Sequence, residues 1–412
     1  MSNTELYLQK FSILEPAPTI HFNDTEIAFS GKSNKELKWE YWLFKVMNKP
    51  ALTNVLTSLA QLTIKLHLPF KWAIKKTVYE QFCGGETLEE TIPVINKLGQ
   101  FHIGAIIDYG VEGKETEADF EKTKNELIKI LRFAGEKNKS SGGKTDIPFI
   151  SCKVTGITRF ALLEKLNDKI ALTESEIKEK EKLYSRMREI AKAASDAGIG
   201  LFIDAEESWI QEGIDELTFV LMREFNKSKA VVYSTPQMYR HDRLAFSKRS
   251  LEDAIAHNYI LGLKPVRGAY MDKERKRAAE KNYPDPIQPD KEATDRDYDA
   301  VLAFSLEHLD KIALCAATHN EKSSLFLAEE MQKRNIPANH PHIHFSQLYG
   351  MSDQITYNLA KAGFNATKYL PYGPVKDVIP YLIRRAQENK SVGGQMSREL
   401  NLLDKEIKRR GI

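Results

Sequence analysis

Eight short apolar runs, separated by charged segments of helical period, are the feature of this chain that most constrains its fold. The runs occupy residues 103–109, 149–154, 200–205, 230–234, 260–266, 312–317, 342–345 and 366–370. Strands that are apolar on both faces are typical of parallel sheets covered by helices. Eight strand–helix repeats therefore predict an α/β fold, most simply a closed (β/α)8 TIM-like barrel.

Segments of different character flank the predicted barrel. Residues 1–100 are expected to form an N-terminal helical arm, with helices over 34–47 and 53–75, and residues 393–412 a charged C-terminal tail. Residues 101–392 then form the barrel. Two inserts are expected to be loops. One is the Ser- and Gly-rich stretch 137–145, and the other is the charged, proline-containing stretch 272–297, either a lid or a solvated connector.

Composition excludes several classes of protein. The chain has 60 basic and 57 acidic residues, a formal net charge of +3, which argues against nucleic acid as a partner. Its three cysteines, Cys83, Cys152 and Cys315, have spacings that fit neither a disulfide framework nor a metal site. No signal, transit or membrane-spanning pattern is evident in the sequence. We therefore expect a cytoplasmic location, either free or peripheral on the inner face of a membrane.

Polar residues follow the apolar runs at the ends where barrel enzymes carry their active sites. Lys153, Asp204, Lys264, His319 and Tyr369 all stand at such positions. Each of these residues could instead have a purely structural role, as a solvated cation, a loop cap or a packing residue at the barrel mouth. Together they predict one polar site there. No Gly-x-Gly-x-x-Gly follows a strand and no Gly-x-Ser-x-Gly occurs, so a cofactor would have to bind at the mouth itself.

The helix predicted over 377–389 has two faces. Its apolar stripe consists of Ile379, Leu382, Ile383 and Ala386, and its opposite face carries Tyr381, Arg384, Arg385 and Glu388. Two adjacent guanidinium groups repel each other unless an anion faces them, and arginine binds a carboxylate through two parallel hydrogen bonds. The helix is therefore either an anion-binding element or an element with a solvated polar face.

Four motifs resemble those of the proline dehydrogenase family. They are Lys-Pro-Val-Arg-Gly-Ala-Tyr at 264–270, Ala-Thr-His-Asn at 317–320, Phe-Ser-Gln-Leu-Tyr-Gly-Met at 345–351 and Tyr-Leu-Ile-Arg-Arg-Ala-Gln-Glu-Asn at 381–389. The resemblance covers about residues 80–392, and segments 82–86 and 204–207 are closer to the eukaryotic-type branch. It implies an FAD enzyme on a distorted (β/α)8 barrel, related to the dehydrogenase domain of proline utilisation A. Such an enzyme oxidises L-proline to Δ1-pyrroline-5-carboxylate by hydride transfer to FAD, the first step of proline catabolism, and passes the electrons to a membrane quinone.

The resemblance also implies roles for individual residues, with no metal ligand among them. Its catalytic residues are Lys153, Asp204, Lys264 and Tyr369. Asp204 would orient Lys153, and Lys264 would lie near flavin N5, where many relatives have arginine. The residues implied for substrate binding are Lys153, Tyr369, Tyr381, Arg384, Arg385 and Glu388. Those implied for cofactor binding are Gln237, Lys264, Arg267, Gly268, Tyr270, Thr318, His319, Asn320 and Gln347.

Other functions remain open at this point. A hydroxyproline dehydrogenase is one, although a bulky Tyr369 over the ring predicts a preference for proline. A flavin-free lyase or aldolase with a Schiff base on Lys153 is another, and a non-catalytic binding barrel is a third. The sequence does not single out a general base for the substrate amine, for which solvent and Glu388 are alternatives.

Overall fold

The structure is a computed structural model that describes residues 20–48, 75–141, 146–391 and 395–412, with the side chains of 385–396 excluded. The helix predicted over 53–75 lies outside the described residues except for its last position. The helix predicted over 34–47 is confirmed. It begins with a capping box in which the Ser33 side chain accepts from the Glu36 backbone and the Glu36 side chain accepts from the Ser33 backbone.

Eight parallel strands form one sheet in the order β4-β3-β2-β1-β8-β7-β6-β5. The strands are β1 Gly104–Tyr109, β2 Phe149–Cys152, β3 Gly200–Ile203, β4 Val232–Tyr233, β5 Leu261–Leu263, β6 Ile312–Ala317, β7 Ile343–Leu348 and β8 Ala366–Tyr372. A parallel bridge between Ser234 and Leu263 joins the two outer strands, so the sheet closes. The predicted distorted (β/α)8 barrel is thus confirmed.

The described residues form helices, most of which surround the barrel. They are α1 Thr25–Ala28, α2 Asn34–Met47, α3 Glu80–Phe82, α4 Leu88–Gly99, α5 Glu117–Ser140, α6 Phe160–Asn167, α7 Glu174–Ala197, α8 Ser208–Phe225, α9 Arg243–Ala256, α10 Met271–Lys281, α11 Lys291–Glu307, α12 Glu321–Lys333, α13 Asp353–Lys361, α14 Val375–Ser391 and α15 Gln395–Arg410. A π-helical turn spans Lys75–Tyr79 and a 3-10 turn spans Val154–Gly156.

Some predicted boundaries are wrong. Strand β7 continues beyond Phe345 because the next three residues pair with β8. Stretch 272–297 is not one loop, since it contains most of α10 and the start of α11. Acidic residues in the first turn of α10 and the cap at Asp290, which accepts from Ala293 N at 2.7 Å, favour these helices. Helix α5 likewise extends through Ser140 into the stretch predicted to be a surface loop.

Aromatic side chains fill the interior of the barrel. The rings of Phe149 and Phe202 stack with centroids 4.4 Å apart, and Tyr233 lies edge-on to Phe202 at 5.3 Å. The ammonium group of Lys264 lies 4.8 Å above the Phe202 ring. Full burial of such a ring contributes roughly 1.5–3 kcal/mol to folding. This packing closes the barrel interior and provides a floor beneath the polar residues at its mouth.

A second apolar cluster joins the terminal segments to the barrel. It includes side chains of α2, α3, α14 and α15, among them Phe44, Phe82, Tyr381 and Leu403. Phe44 and Phe82 lie with ring centroids 6.4 Å apart. The two ends of the described chain therefore pack together beside the helix that carries the paired arginines.

Candidate active site

Asp204 is the centre of a buried hydrogen-bond cluster at the carboxyl ends of the strands. It follows β3 directly, and its backbone N–H donates to Cys152 O at 2.9 Å. Its carboxylate accepts hydrogen bonds from Ser151 Oγ at 2.6 Å, from Lys153 Nζ at 3.1 Å and from the Tyr369 hydroxyl at 2.8 Å. Lys264 Nζ donates to it as well. One carboxylate thus joins the ends of β2, β3, β5 and β8.

The charges of this cluster support one another. Burial opposes ionisation of Asp204, but Lys264 and Lys153 outweigh it, so the pKa of this carboxyl lies well below its usual range. Burial also opposes the charge of Lys153, but Tyr369, Asp108 and Asp204 raise the pKa of its ammonium group well above the usual value. Lys153 is therefore a cation at the barrel mouth.

Asp108, at the end of β1, is a second carboxyl that the sequence interpretation did not select. It is 2 % exposed. Burial raises its pKa, the charge of Lys153 opposes that rise, and the charge of Asp204 adds to it. The sequence signal that could have identified Asp108 is its position at the end of a strand. None of the four motifs shared with the family includes this residue.

Arg384 on α14 forms a two-pronged ion pair with Glu112. The two nitrogen–oxygen distances are 2.8 and 3.2 Å, and the guanidinium group lies 6.0 Å from the centroid of the Tyr270 ring. Burial disfavours ionised Glu112, but Arg384 and Lys153 lower the pKa of its carboxyl overall. Sequence reasoning missed Glu112, which lies in the loop after β1 where no motif marks it. Arg384, Glu112, Gly268 and Tyr270 line a cavity of about 610 Å³.

The rest of α14 agrees only in part with its predicted faces. Tyr381 is buried with Ile379 and Leu382 in the second apolar cluster, so its predicted separation from the apolar stripe is wrong. Successive residues of a helix point in directions about 100° apart. An apolar cluster that covers a wide part of the helix surface can therefore include both Tyr381 and Leu382. The side chains of Arg385 and Glu388 lie outside the described residues.

Polar side chains at the ends of β4 to β7 lie beside the Asp204 cluster and are here called the polar arc. They are Gln237, Arg267, Thr318, His319, Asn320 and Gln347. Arg267 lies 3.8 Å above the Tyr298 ring, donates to Thr318 Oγ1 at 3.2 Å and pairs with Asp295. Gln237 donates to the Glu206 backbone carbonyl at 2.6 Å. The arc brings together the side chains of β-strand ends that are far apart in sequence.

The arc continues at β6 and β7. Asn320 accepts from Lys322 N at 2.9 Å and so caps α12, and its amide donates to Asp295 at 3.3 Å. Gln347 donates to the Thr318 backbone carbonyl at 3.0 Å. His319 Nδ1 lies 2.9 Å from Ser352 Oγ. The residues predicted to bind a cofactor therefore lie on one side of the barrel mouth.

Two atoms of the arc indicate that a polar group fits there. Gln237 Oε1 and Arg267 Nη2 are buried and have no hydrogen-bond partner among the described residues. An unsatisfied buried polar group costs about 1–3 kcal/mol. Gly268, with φ of 93°, places backbone close to the cavity, where a side chain would be strained. A cofactor that offers both a donor and an acceptor would satisfy the two atoms.

Among the described residues, no group of three or more His, Cys, Asp and Glu side chains is arranged to hold a metal ion. No helix in the part of the chain that the structure describes is long and apolar enough to cross a membrane.

Comparisons with known proteins agree with this geometry. The family model for proline dehydrogenase matches residues 91–398. Mitochondrial proline dehydrogenase 1 of Dictyostelium discoideum is 31% identical, covering 94% of this chain and 74% of that protein. Hydroxyproline dehydrogenase of Xenopus laevis is 30% identical, covering 95% of this chain and 90% of that protein.

The fold also occurs among solved structures. A crystal structure of proline utilization A from Bdellovibrio bacteriovorus, inactivated by N-propargylglycine, aligns with a TM-score of 0.71 at 21% identity. The alignment covers 95% of this chain and 41% of that one, so this chain spans less than half the length of that protein.

Proposed function

Since the chain belongs to the proline dehydrogenase family, we propose that it oxidises L-proline to Δ1-pyrroline-5-carboxylate with FAD as its cofactor. The electrons then pass to a membrane quinone, as the resemblance of its motifs implies. The observation that carries the proposal is the Asp204 cluster at the mouth of a barrel of this family, because its Lys153 and the nearby Arg384 both lower the pKa of the same carboxyl, Glu112.

The cations of the site suit a substrate carboxylate. Lys153 is held by Asp204, and Arg384 is held by Glu112, so both are oriented before a substrate arrives. Arg385 is proposed as a third cation, and Glu388 as the acid that pairs with this group. Charge-assisted hydrogen bonds from two or three cations would fix one end of the substrate ring.

Tyr369 and Tyr381 are proposed to hold the plane of the proline ring. The bond from the Tyr369 hydroxyl to Asp204 fixes the orientation of its phenol, and Lys264 Nζ lies 5.4 Å from the centroid of that phenol ring. Bound FAD would supply the acceptor for a hydride from proline C5. The protein's part is to hold that carbon within ~3–3.5 Å of the acceptor atom.

The residues proposed to hold FAD are those of the polar arc together with Lys264 and Tyr270. Gln237 Oε1 and Arg267 Nη2 support this assignment because both are buried atoms that the described protein leaves unpaired. Lys264 is itself engaged by Asp204, so its charge is fixed in place rather than free to move.

The same geometry disfavours a Schiff-base lyase. An amine that attacks a carbonyl must be uncharged. Burial opposes the charge of Lys153, but the surrounding Tyr369 and carboxylates keep the pKa of its ammonium group well above the usual value. Hydroxyproline oxidation stays a second candidate because a hydroxyproline dehydrogenase is among the relatives.

A visible-light spectrum of the purified protein tests the cofactor assignment. We expect a yellow protein that releases FAD when it is unfolded and regains its colour when the apoprotein is mixed with FAD. Arg267→Met should weaken the recovery, while Arg296→Met, an exposed arginine of α11, should not. A colourless protein that FAD does not reconstitute would contradict the proposal.

A further inference from the structure

Helix α2 exposes two tryptophans on its outer face. Trp39 is 40 % exposed and Trp42 is 51 % exposed, and their rings stack with centroids 5.1 Å apart. Residues three apart on a helix are neighbours on its surface. A single exposed apolar side chain is ordinary, but two stacked indoles form a larger apolar patch. Such a patch is typical of a surface that contacts another molecule.

Positive charge surrounds these two rings. Three further side chains of the outer face are exposed lysines, namely Lys35, Lys38 and Lys45. We call these five side chains the Trp–Lys face. Helix α2 contains two acids, and neither offsets the charge of the lysines. Glu36 pairs with Lys97 at 2.8 Å, and Glu40 is buried and pairs with Lys32. The Trp–Lys face therefore combines apolar rings with a net positive charge.

The inner side of α2 is fixed at the mouth end of the barrel. Gln81 Nε2 donates to Glu40 Oε1 at 3.0 Å and to Gly350 O at 3.0 Å. Lys32, which precedes α2, pairs with Asp353 at 2.9 Å. Gly350 and Asp353 follow the carboxyl end of β7, at the end of the barrel that carries the candidate active site. The Trp–Lys face thus lies on a helix that is held at that same end.

An anionic lipid bilayer fits this combination of groups. Indole rings favour the headgroup level of a bilayer, and lysines reach lipid phosphates while their methylene chains lie along the apolar boundary. A second copy of the chain fits less well, because a symmetric contact would oppose the three lysines of one copy with those of the other. A protein partner would need a pocket for two indoles as well as acidic groups, whereas a bilayer offers both over its whole surface.

We propose that the Trp–Lys face docks this protein on the surface of an anionic bilayer, with both indoles at headgroup level and α2 parallel to the membrane plane. Docking in this way brings the mouth end of the barrel towards the bilayer, where a membrane quinone is found. That consequence rests on the proposed function. The binding to lipid does not, because it follows from the Trp–Lys face alone.

Flotation of the purified protein with lipid vesicles tests the docking. One set of vesicles contains phosphatidylglycerol and phosphatidylcholine in equal parts, and the other contains phosphatidylcholine alone. We expect binding to the anionic vesicles that weakens as salt is raised, and much weaker binding to the neutral ones. Trp39→Ala/Trp42→Ala should weaken the binding about tenfold. Lys→Gln changes at the three lysines should weaken it about fivefold for each lysine, and they serve as the test if the tryptophan variant does not fold.

Matched control variants change side chains of the same kind on other elements. Ile170→Ala/Ile177→Ala removes two exposed apolar side chains and should bind as wild type does. The charge control replaces three exposed lysines with glutamine, at Lys178, Lys192 and Lys229. It lowers the net charge by the same amount as the lysine variant of α2. Equal losses of binding in the α2 variants and their controls would overturn the proposal, because general charge or apolar exposure would then explain the binding.

Other results would also overturn the docking proposal. A wild-type protein that does not bind anionic vesicles would leave a protein partner as the occupant of the face. Self-association that Trp39→Ala/Trp42→Ala abolishes, without vesicle binding, would assign the face to a second copy. Proline oxidation with a water-soluble dye as electron acceptor is measured in parallel and should be unchanged in both α2 variants. Absence of that activity in wild type would contradict the proposed function, while the flotation result would still decide the docking.

Discussion

The Tyr369 hydroxyl donates a 2.8 Å hydrogen bond to Asp204, and this contact ties β8 to β3 across the barrel mouth. The same carboxylate holds Lys153 at 3.1 Å. The orientation of the aromatic wall and the position of the cation are therefore set by one residue. A ligand that contacts both Tyr369 and Lys153 must therefore fit the positions in which Asp204 holds these two side chains.

Tyr369→Ser tests the preference for proline over trans-4-hydroxyproline. A bulky phenol over C4 of the ring would crowd a 4-hydroxyl group, and such overpacking costs ~1–3 kcal/mol, or roughly ten- to a hundredfold in kcat/KM. The substitution should lower proline turnover and narrow the gap between the two substrates. Tyr372→Phe is the control, because Tyr372 is on the same strand and bonds to Glu126 instead. Equal use of both substrates by wild type, or an unchanged ratio in the variant, would show that Tyr369 is misassigned.

Arg385→Met tests the substrate-binding role of α14. We expect a sharp rise in KM for proline with FAD still bound, because breaking a desolvated charge pair typically costs ~2–5 kcal/mol. Lys376→Met removes an exposed cation from the same helix and should leave KM unchanged. Steady-state kinetics and the flavin spectrum measure the two effects separately. A KM within about twofold of wild type would indicate a solvated face.

Glu206 should make the protein less stable as the pH rises. Burial raises the pKa of its carboxyl to about 7, although it accepts from Thr155 N at 3.1 Å and from Thr155 Oγ1 at 2.5 Å. The folded state then binds a proton that the unfolded state has already lost. Stability should fall as the pH rises from about 4.5 through 7, and level off above that.

Urea unfolding of Glu206→Gln at pH 5 and pH 8 measures this effect. The variant should lose less stability between the two values than wild type, with a difference of about 1–3 kcal/mol. Glu207→Gln, a neighbour that pairs with Lys273, is the control. The same pH dependence in wild type and Glu206→Gln would mean that Glu206 is ionised throughout.

The sequence predicted the barrel well because strand burial leaves a direct pattern. Each of the eight apolar runs corresponds to a strand, and Lys153, Asp204, Lys264 and Tyr369 meet because parallel strands end at one edge. The sequence pattern was less informative over residues 272–297. The high charge and the prolines of this stretch favoured a loop, although capping residues of two helices are also present there.

Other features depend on contacts that no local pattern marks. Glu112 reaches Arg384 from a loop 272 residues earlier in the chain. Glu399 joins Ser352 only because the terminal helices pack together. Tyr381 is buried because the apolar cluster beside α14 is wide. Such pairings follow from the tertiary arrangement and become visible only when the fold is known.

Anaerobic titration with L-proline is the most direct test of the central claim, that this site oxidises proline through a bound flavin. We predict that proline bleaches the yellow colour of the protein without oxygen, in proportion to the flavin present, and that an imine product accumulates in equal amount. A flavin that keeps its full colour in saturating L-proline, in folded protein that a chemical reductant does bleach, would contradict the account.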